Sequence, residues 1–180
     1  MHLLLVGARG SGKTTVGRAM AQAMGGAFVD LDELALARFP ETSVTAVWDA
    51  HGEGDWRAAE LAALDELLTS LAAPGAVPTV VALGGGTPII PGAAALIDAA
   101  RSSRVVRTAY LHCSPAVLGQ RLSVEPGDRP PLAGRPLVEE AAIMLVRREP
   151  AYRAIADVVL EGERPAEYLV RALLSSLNEE

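Results

Sequence analysis

With 180 residues, half of them hydrophobic, the chain has enough material for one domain with a real core and too little for two ordinary ones. A formal net charge of −6 argues against a protein that grips nucleic acid through a broad basic surface, and a single cysteine, Cys113, excludes an internal disulfide. The expectation is a cytoplasmic protein, monomeric, with no nucleic-acid or membrane partner; its N-terminus reads as neither signal peptide nor anchor.

Leu3-Leu4-Leu5-Val6 reads as a buried strand over 2–6, and it runs directly into GARGSGKT, residues 7–14. Lys13 is the only lysine, against fifteen arginines, and it stands where a phosphate-binding loop requires one. A helix over 13–24 follows, so the motif sits between strand and helix as its chemistry demands. Amides from Gly10 through Ser11, Gly12, Lys13, Thr14 and Thr15 would face a β-phosphate at the positive end of that helix. Lys13, a compact charge on a flexible stem, can follow a γ-phosphoryl group, and the Thr14 hydroxyl is the expected Mg²⁺ ligand. An ordinary glycine turn with a solvated lysine is the alternative.

A second strand, 27–30, ends at Asp30-Leu31-Asp32. If this segment is extended, alternation points both carboxylates to one side, one to serve Mg²⁺ through water and the other to take a proton from an attacking hydroxyl. Capping of a helix over 31–38 is the competing role. The segment from Gly52 opens a helix over 56–72, in which Arg57 and Glu60 share a face, so that Glu60 can hold the guanidinium and leave its outer edge for a ligand carboxylate. A third strand, 78–83, leads into Gly84-Gly85-Gly86, whose bare backbone allows close approach by a substrate.

Helix 91–101, strand 105–111, helix 114–123, helix 137–149, strand 157–160 and helix 165–177 complete the chain. Cys113 ends an apolar strand and reads as a buried, inert thiol. Residues 123–131 are dense in proline and glycine around Arg129, as in a mobile lid. The alternation predicts an α/β fold of three layers: a parallel sheet of about five strands covered by helices on both faces, with ligands at the carboxyl ends of the strands.

GARGSGKTT, FVDLD, GEGDWRAAE, LGGG, DRPPLAGRP and RREPAYRAIAD occur in an order and spacing that resemble the shikimate kinases over nearly the whole chain. The resemblance implies one P-loop kinase domain over 1–180, with a substrate-binding helical segment at about 31–62 and a lid at about 123–136. It implies phosphorylation by ATP of the shikimate 3-hydroxyl, with Mg²⁺, on the route to chorismate and the aromatic amino acids. By the same resemblance Asp32 would take the hydroxyl proton and Asp30 would join Thr14 at the metal. Arg57, oriented by Glu60, and Arg148 would bind the carboxylate beside Gly84, Gly85 and Gly86. Arg129 would reach over the phosphates, and Arg121 with Pro165, next to Arg164, would sandwich the adenine.

The chain departs from the family's pattern at Trp56, where phenylalanine is usual and the larger ring would narrow the pocket, and in the added prolines of the lid. A kinase for another hydroxylated acid or sugar such as gluconate, and a catalytically silent nucleotide-binding homologue, are the alternative readings.

Overall fold

Alternate side chains of the first strand, β1 (His2–Val6), serve two different cores, because successive residues of a strand face opposite sides of a sheet. The computed structural model describes residues 1–125 and 137–178. In it Leu4 and Val6 join one buried cluster with Leu31, Trp56, Leu64, Tyr110 and Tyr152, while Leu3 and Leu5 join another with Val16, Met20, Leu169 and Leu173. A strand buried on both faces belongs at the centre of a parallel sheet covered by helices.

The sheet is all parallel, in the order β2-β3-β1-β4-β5, with β2 at Ala27–Asp30, β3 at Thr79–Ala82, β4 at Val106–His112 and β5 at Val158–Glu161. Leu4 of β1 lies beside Val81 of β3 and Thr108 of β4, so the carboxyl ends of the three central strands come out together. The helices are α1 (Lys13–Ala23), α2 (Leu31–Leu36), α3 (Val44–Leu71), α4 (Ala93–Ser102), α5 (Pro115–Val124), α6 (Leu137–Ile155) and α7 (Ala166–Asn178). α1 packs on α7, the side on which the Leu3 and Leu5 core lies. Gly17 of α1 has no room for a side chain: a β-carbon would stand 2.5 Å from the Phe28 ring, and this contact seats β2 beside the helix.

All five strands fall within a residue of their expected positions. Two helical features go beyond the sequence reading. α3 is two helical stretches meeting at a kink at Gly52 (φ 85°, ψ 168°): the one carrying Arg57 opens after Gly52 as expected, and the one before it, from Val44 and capped by the Ser43 hydroxyl, was not expected. The helix expected to stop at 149 continues through Pro150 to Ile155. Proline costs the bond to the carbonyl four residues back, here that of Val146, a residue 77% exposed where water can serve that oxygen.

Candidate active site

Three strand-to-helix connections meet at the carboxyl ends of β1, β2 and β3. The first, after β1, carries the expected phosphate-binding sequence, and Gly10 and Gly12 adopt φ of 79° and 93°, which only glycine takes without strain. Gly12 is the N-cap of α1, so the helix opens at the loop as anion binding requires. Lys13 lies back across the loop, its Nζ donating to the carbonyls of Gly7 at 2.9 Å and Ala8 at 3.0 Å. The Ser11 side chain is turned inward, buried against Gly7.

Beyond the loop, Thr14 Oγ1 donates to Asp30 Oδ2 at 3.3 Å, which brings together the two groups expected at a metal. The other oxygen of Asp30, Oδ1, accepts from the Asp32 backbone N–H at 3.1 Å, so Asp30 also caps α2. The extended alternation expected for these acids is corrected here: Asp32 belongs to the first turn of α2, and a helical step rather than a strand's pleat directs its carboxylate. Burial, and next the nearby Asp32 carboxylate, raise the Asp30 pKa above the ordinary value of 3.8 despite its hydrogen bond and Lys13.

The third loop is Gly84-Gly85-Gly86, and each glycine abuts a different functional side chain. A β-carbon on Gly84 would stand 2.5 Å from Asp32 Oδ1, 2.5 Å from Glu60 Oε1 and 2.8 Å from Thr87 Oγ1. One on Gly85 would lie 3.7 Å from Arg148 Nη1, and one on Gly86 would collide with the Arg57 guanidinium. The glycines thus permit Asp32, Arg57 and Arg148, from α2, α3 and α6, to converge on one stretch of backbone.

Arg57 Nη1 donates to Glu60 Oε2 at 2.6 Å, as the three-residue spacing predicted. Glu60 is fully buried, and its second oxygen accepts from the Thr87 hydroxyl at 2.9 Å. The outer edge of Arg57, expected to face a ligand, is instead taken by Glu53, whose Oε1 accepts from Nε at 3.1 Å and Nη2 at 2.8 Å. Burial works against the Arg57 charge, but Glu60 first and then Glu53 outweigh it and hold its pKa above the ordinary value. Trp56, the larger ring expected beside the substrate, is fully buried, stacks on Phe39 at 6.3 Å between centroids and joins the core cluster with Leu31 and Leu64.

Arg121, expected at the adenine, lies across the phosphate loop, Nη1 donating to the Gly10 carbonyl at 3.1 Å and both terminal nitrogens to the Gly162 carbonyl at 3.2 Å. It therefore ties the loop to the turn that leads to exposed Pro165. Arg164 points elsewhere, paired with Glu161 at 2.9 Å and set over the Tyr168 ring. Cys113 is buried beneath this junction, and burial raises its thiol pKa against the influence of Arg121, in keeping with an inert thiol. Arg129 lies outside the described residues, as does most of the expected lid.

Glu53, Thr87 and Tyr152 are the contributors the sequence reading passed over. The Tyr152 hydroxyl donates to the Gly85 carbonyl at 2.5 Å, and its place four residues after Arg148, one helical turn on, was the available signal.

The model of the shikimate kinase family matches residues 9–178. A relative named shikimate kinase 2, from Sodalis glossinidius, is 40% identical over 98% of this chain and 95% of its own. Among solved structures, shikimate kinase from Acinetobacter baumannii in complex with shikimate superposes with a TM-score of 0.84 at 25% identity, covering 99% of this chain and 95% of that one. Shikimate kinase from Bacteroides thetaiotaomicron gives 0.82 at 28% identity, covering 98% of each. Matched by the family model over residues 9–178 and 40% identical to a relative across nearly its whole length, the chain belongs to the shikimate kinase family.

Proposed function

We propose that the protein transfers the γ-phosphoryl group of ATP to the 3-hydroxyl of shikimate, giving shikimate 3-phosphate and ADP. The observation that carries this reading is the convergence of Asp32, Arg57 and Arg148 on Gly84–Gly86, at the same strand ends as the phosphate loop. A proton acceptor and two guanidiniums on one glycine loop suit a substrate that has both a hydroxyl and a carboxylate. A sugar without a carboxylate leaves the two arginines without a purpose, and a silent homologue has no use for all of these groups together.

Phosphoryl transfer asks a protein mainly for position and charge stabilisation. Amides of the loop and the α1 terminus hold the phosphates, and Lys13 exchanges its two carbonyl contacts for phosphate oxygens. Asp32 orients the acceptor hydroxyl and takes its proton. Tyr152 fixes the Gly85 carbonyl, and Glu60 with Thr87 fixes the rear of Arg57. Arg129 is assigned positive charge for the transferring group, and Arg121 with the turn before Pro165 borders the adenine.

The Thr14 hydroxyl and Asp30 carboxylate, hard oxygen donors 3.3 Å apart, fit Mg²⁺, Asp30 through water. The ion would neutralise charge on the phosphates when bound. A cytoplasmic monomer is the proposed working form; among the described residues no helix is long and apolar enough to cross a membrane. A coupled assay of ADP release tests the function: turnover should require shikimate together with MgATP, and gluconate should not replace it. ADP release that ignores shikimate would refute the reading.

A further inference from the structure

The side of Arg57 best placed to meet a substrate carboxylate already holds one. Glu53 offers a single oxygen to both Nε and Nη2, which is the contact an incoming carboxylate would make. The two acids on Arg57 differ in their freedom to leave. Glu60 is fully buried and also accepts from Thr87, so its departure would strand two donors. Glu53 has a side chain 57% exposed and follows Gly52, where the helix is broken. At Gly52 and Gly54 nothing lies within 4 Å of where a β-carbon would stand, so the backbone on both sides of Glu53 borders open space.

Formal charge points the same way. Asp32, Glu53 and Glu60 face Arg57 and Arg148 around the glycine loop, three negative groups to two positive. A substrate anion added to that set makes four to two, whereas an anion that replaces Glu53 keeps three to two. Once displaced, Glu53 can turn to water at the start of the helical stretch after Gly52, where exposed N–H groups favour an acid.

We propose that Glu53 is an internal counter-ion of Arg57 that the substrate carboxylate must displace, and that this exchange sets the enzyme's affinity for its acid substrate. The inference rests on the reading of Arg57 as the carboxylate site. It has a signature opposite to that of a simple support. If Glu53 only held Arg57 in place, its loss would weaken substrate binding; as a competitor, its loss strengthens it.

The test uses Glu53→Gln and Glu53→Ala in the full chain, with shikimate and its neutral methyl ester as probes. Thermal melts check that both variants keep the fold, as an exposed position allows. Removing an ion pair of this exposure should lower the shikimate KM, and the calorimetric Kd with it, about three- to five-fold. The ester, which cannot replace one carboxylate with another, should gain less, so the preference for acid over ester widens. A shikimate KM that is unchanged or raised in both variants, or an equal gain for the ester, would overturn the displacement. A wild-type enzyme without shikimate-dependent ADP release would overturn the carboxylate reading and this inference together.

Discussion

Replacing Glu60 separates its charge from its hydrogen bonds. This fully buried side chain accepts from Arg57 Nη1 at 2.6 Å and from the Thr87 hydroxyl, itself fully buried, at 2.9 Å. Glu60→Ala strands the hydroxyl, leaves Arg57 with Glu53 and the Trp48 ring, and opens a small void. Breaking a buried pair by removing one partner costs about 3–5 kcal/mol. Arg57 keeps one acid and has a side chain 16% exposed, so the lower end of that range applies. For a chain of this length that corresponds to a fall in Tm on the order of ten degrees. Glu60→Gln can turn its amide so that the oxygen accepts from Arg57 and the nitrogen donates to Thr87. It should therefore lose only about 1–2 kcal/mol. Differential scanning calorimetry of the two variants gives the ordering, and the shikimate KM should rise in both, more in the alanine variant. A Glu60→Ala protein that melts within about a degree of wild type would show that the buried acid is not what holds Arg57 and Thr87.

Asp32→Asn leaves the α2 cap intact, because Asp30 makes that bond; kcat should fall on the order of a hundred-fold with little change in Tm, and a variant that turns over normally would assign Asp32 to structure. Asp30 has its folded pKa raised by burial and by Asp32, so the native chain loses stability as pH climbs from the ordinary 3.8 through the raised value, and the penalty is complete above it. Asp30→Asn keeps a capping oxygen and should gain on wild type across that window in urea melts at several pH values, a difference flat with pH counting against the assignment. Lys13 being the only lysine, an amine-acylating reagent can reach only its side chain and the α-amino group; MgATP should protect Lys13 strongly, as read by peptide mass mapping, and labelling that proceeds equally with and without nucleotide would sink the phosphate-loop assignment.

Much of this site could be read from the chain because its chemistry is local. A loop that aims backbone amides at phosphate needs glycine at fixed offsets, and Arg57 and Glu60 meet because three residues is nearly one helical turn. The missed parts depend on distant partners. Glu53 and Glu60 stand four before and three after Arg57, and no local pattern says which is the fixed rear acid. Thr87, brought alongside by the glycine loop after β3, settles it by bonding Glu60. Alternation fails for the acid pair because Asp30 ends the strand and caps the helix at once, so the pleat stops two residues short of Asp32. The helical stretch Val44–His51 has no counterpart in the sequence reading; the fold joins it, through a kink at Gly52, to the stretch that carries Arg57.

The charged side chains of the site share a property that no single contact reveals. Lys13 is satisfied by carbonyls of its own loop, the outer edge of Arg57 by an exposed glutamate, and Asp30 by a threonine hydroxyl and a backbone amide. Each partner is weaker or more mobile than the one the proposed reaction supplies: phosphate, a substrate carboxylate and a divalent cation. The groups that must not move are fastened from behind by buried bonds, Glu60 through Thr87 and the Gly85 carbonyl through Tyr152. On the proposed reading, pre-orientation comes from fully buried contacts that persist, and binding proceeds by exchange at the less buried ones. Such exchange keeps the desolvation cost of the free site low, and it reserves the strongest charge contacts for the moment when phosphate, metal and acceptor are together.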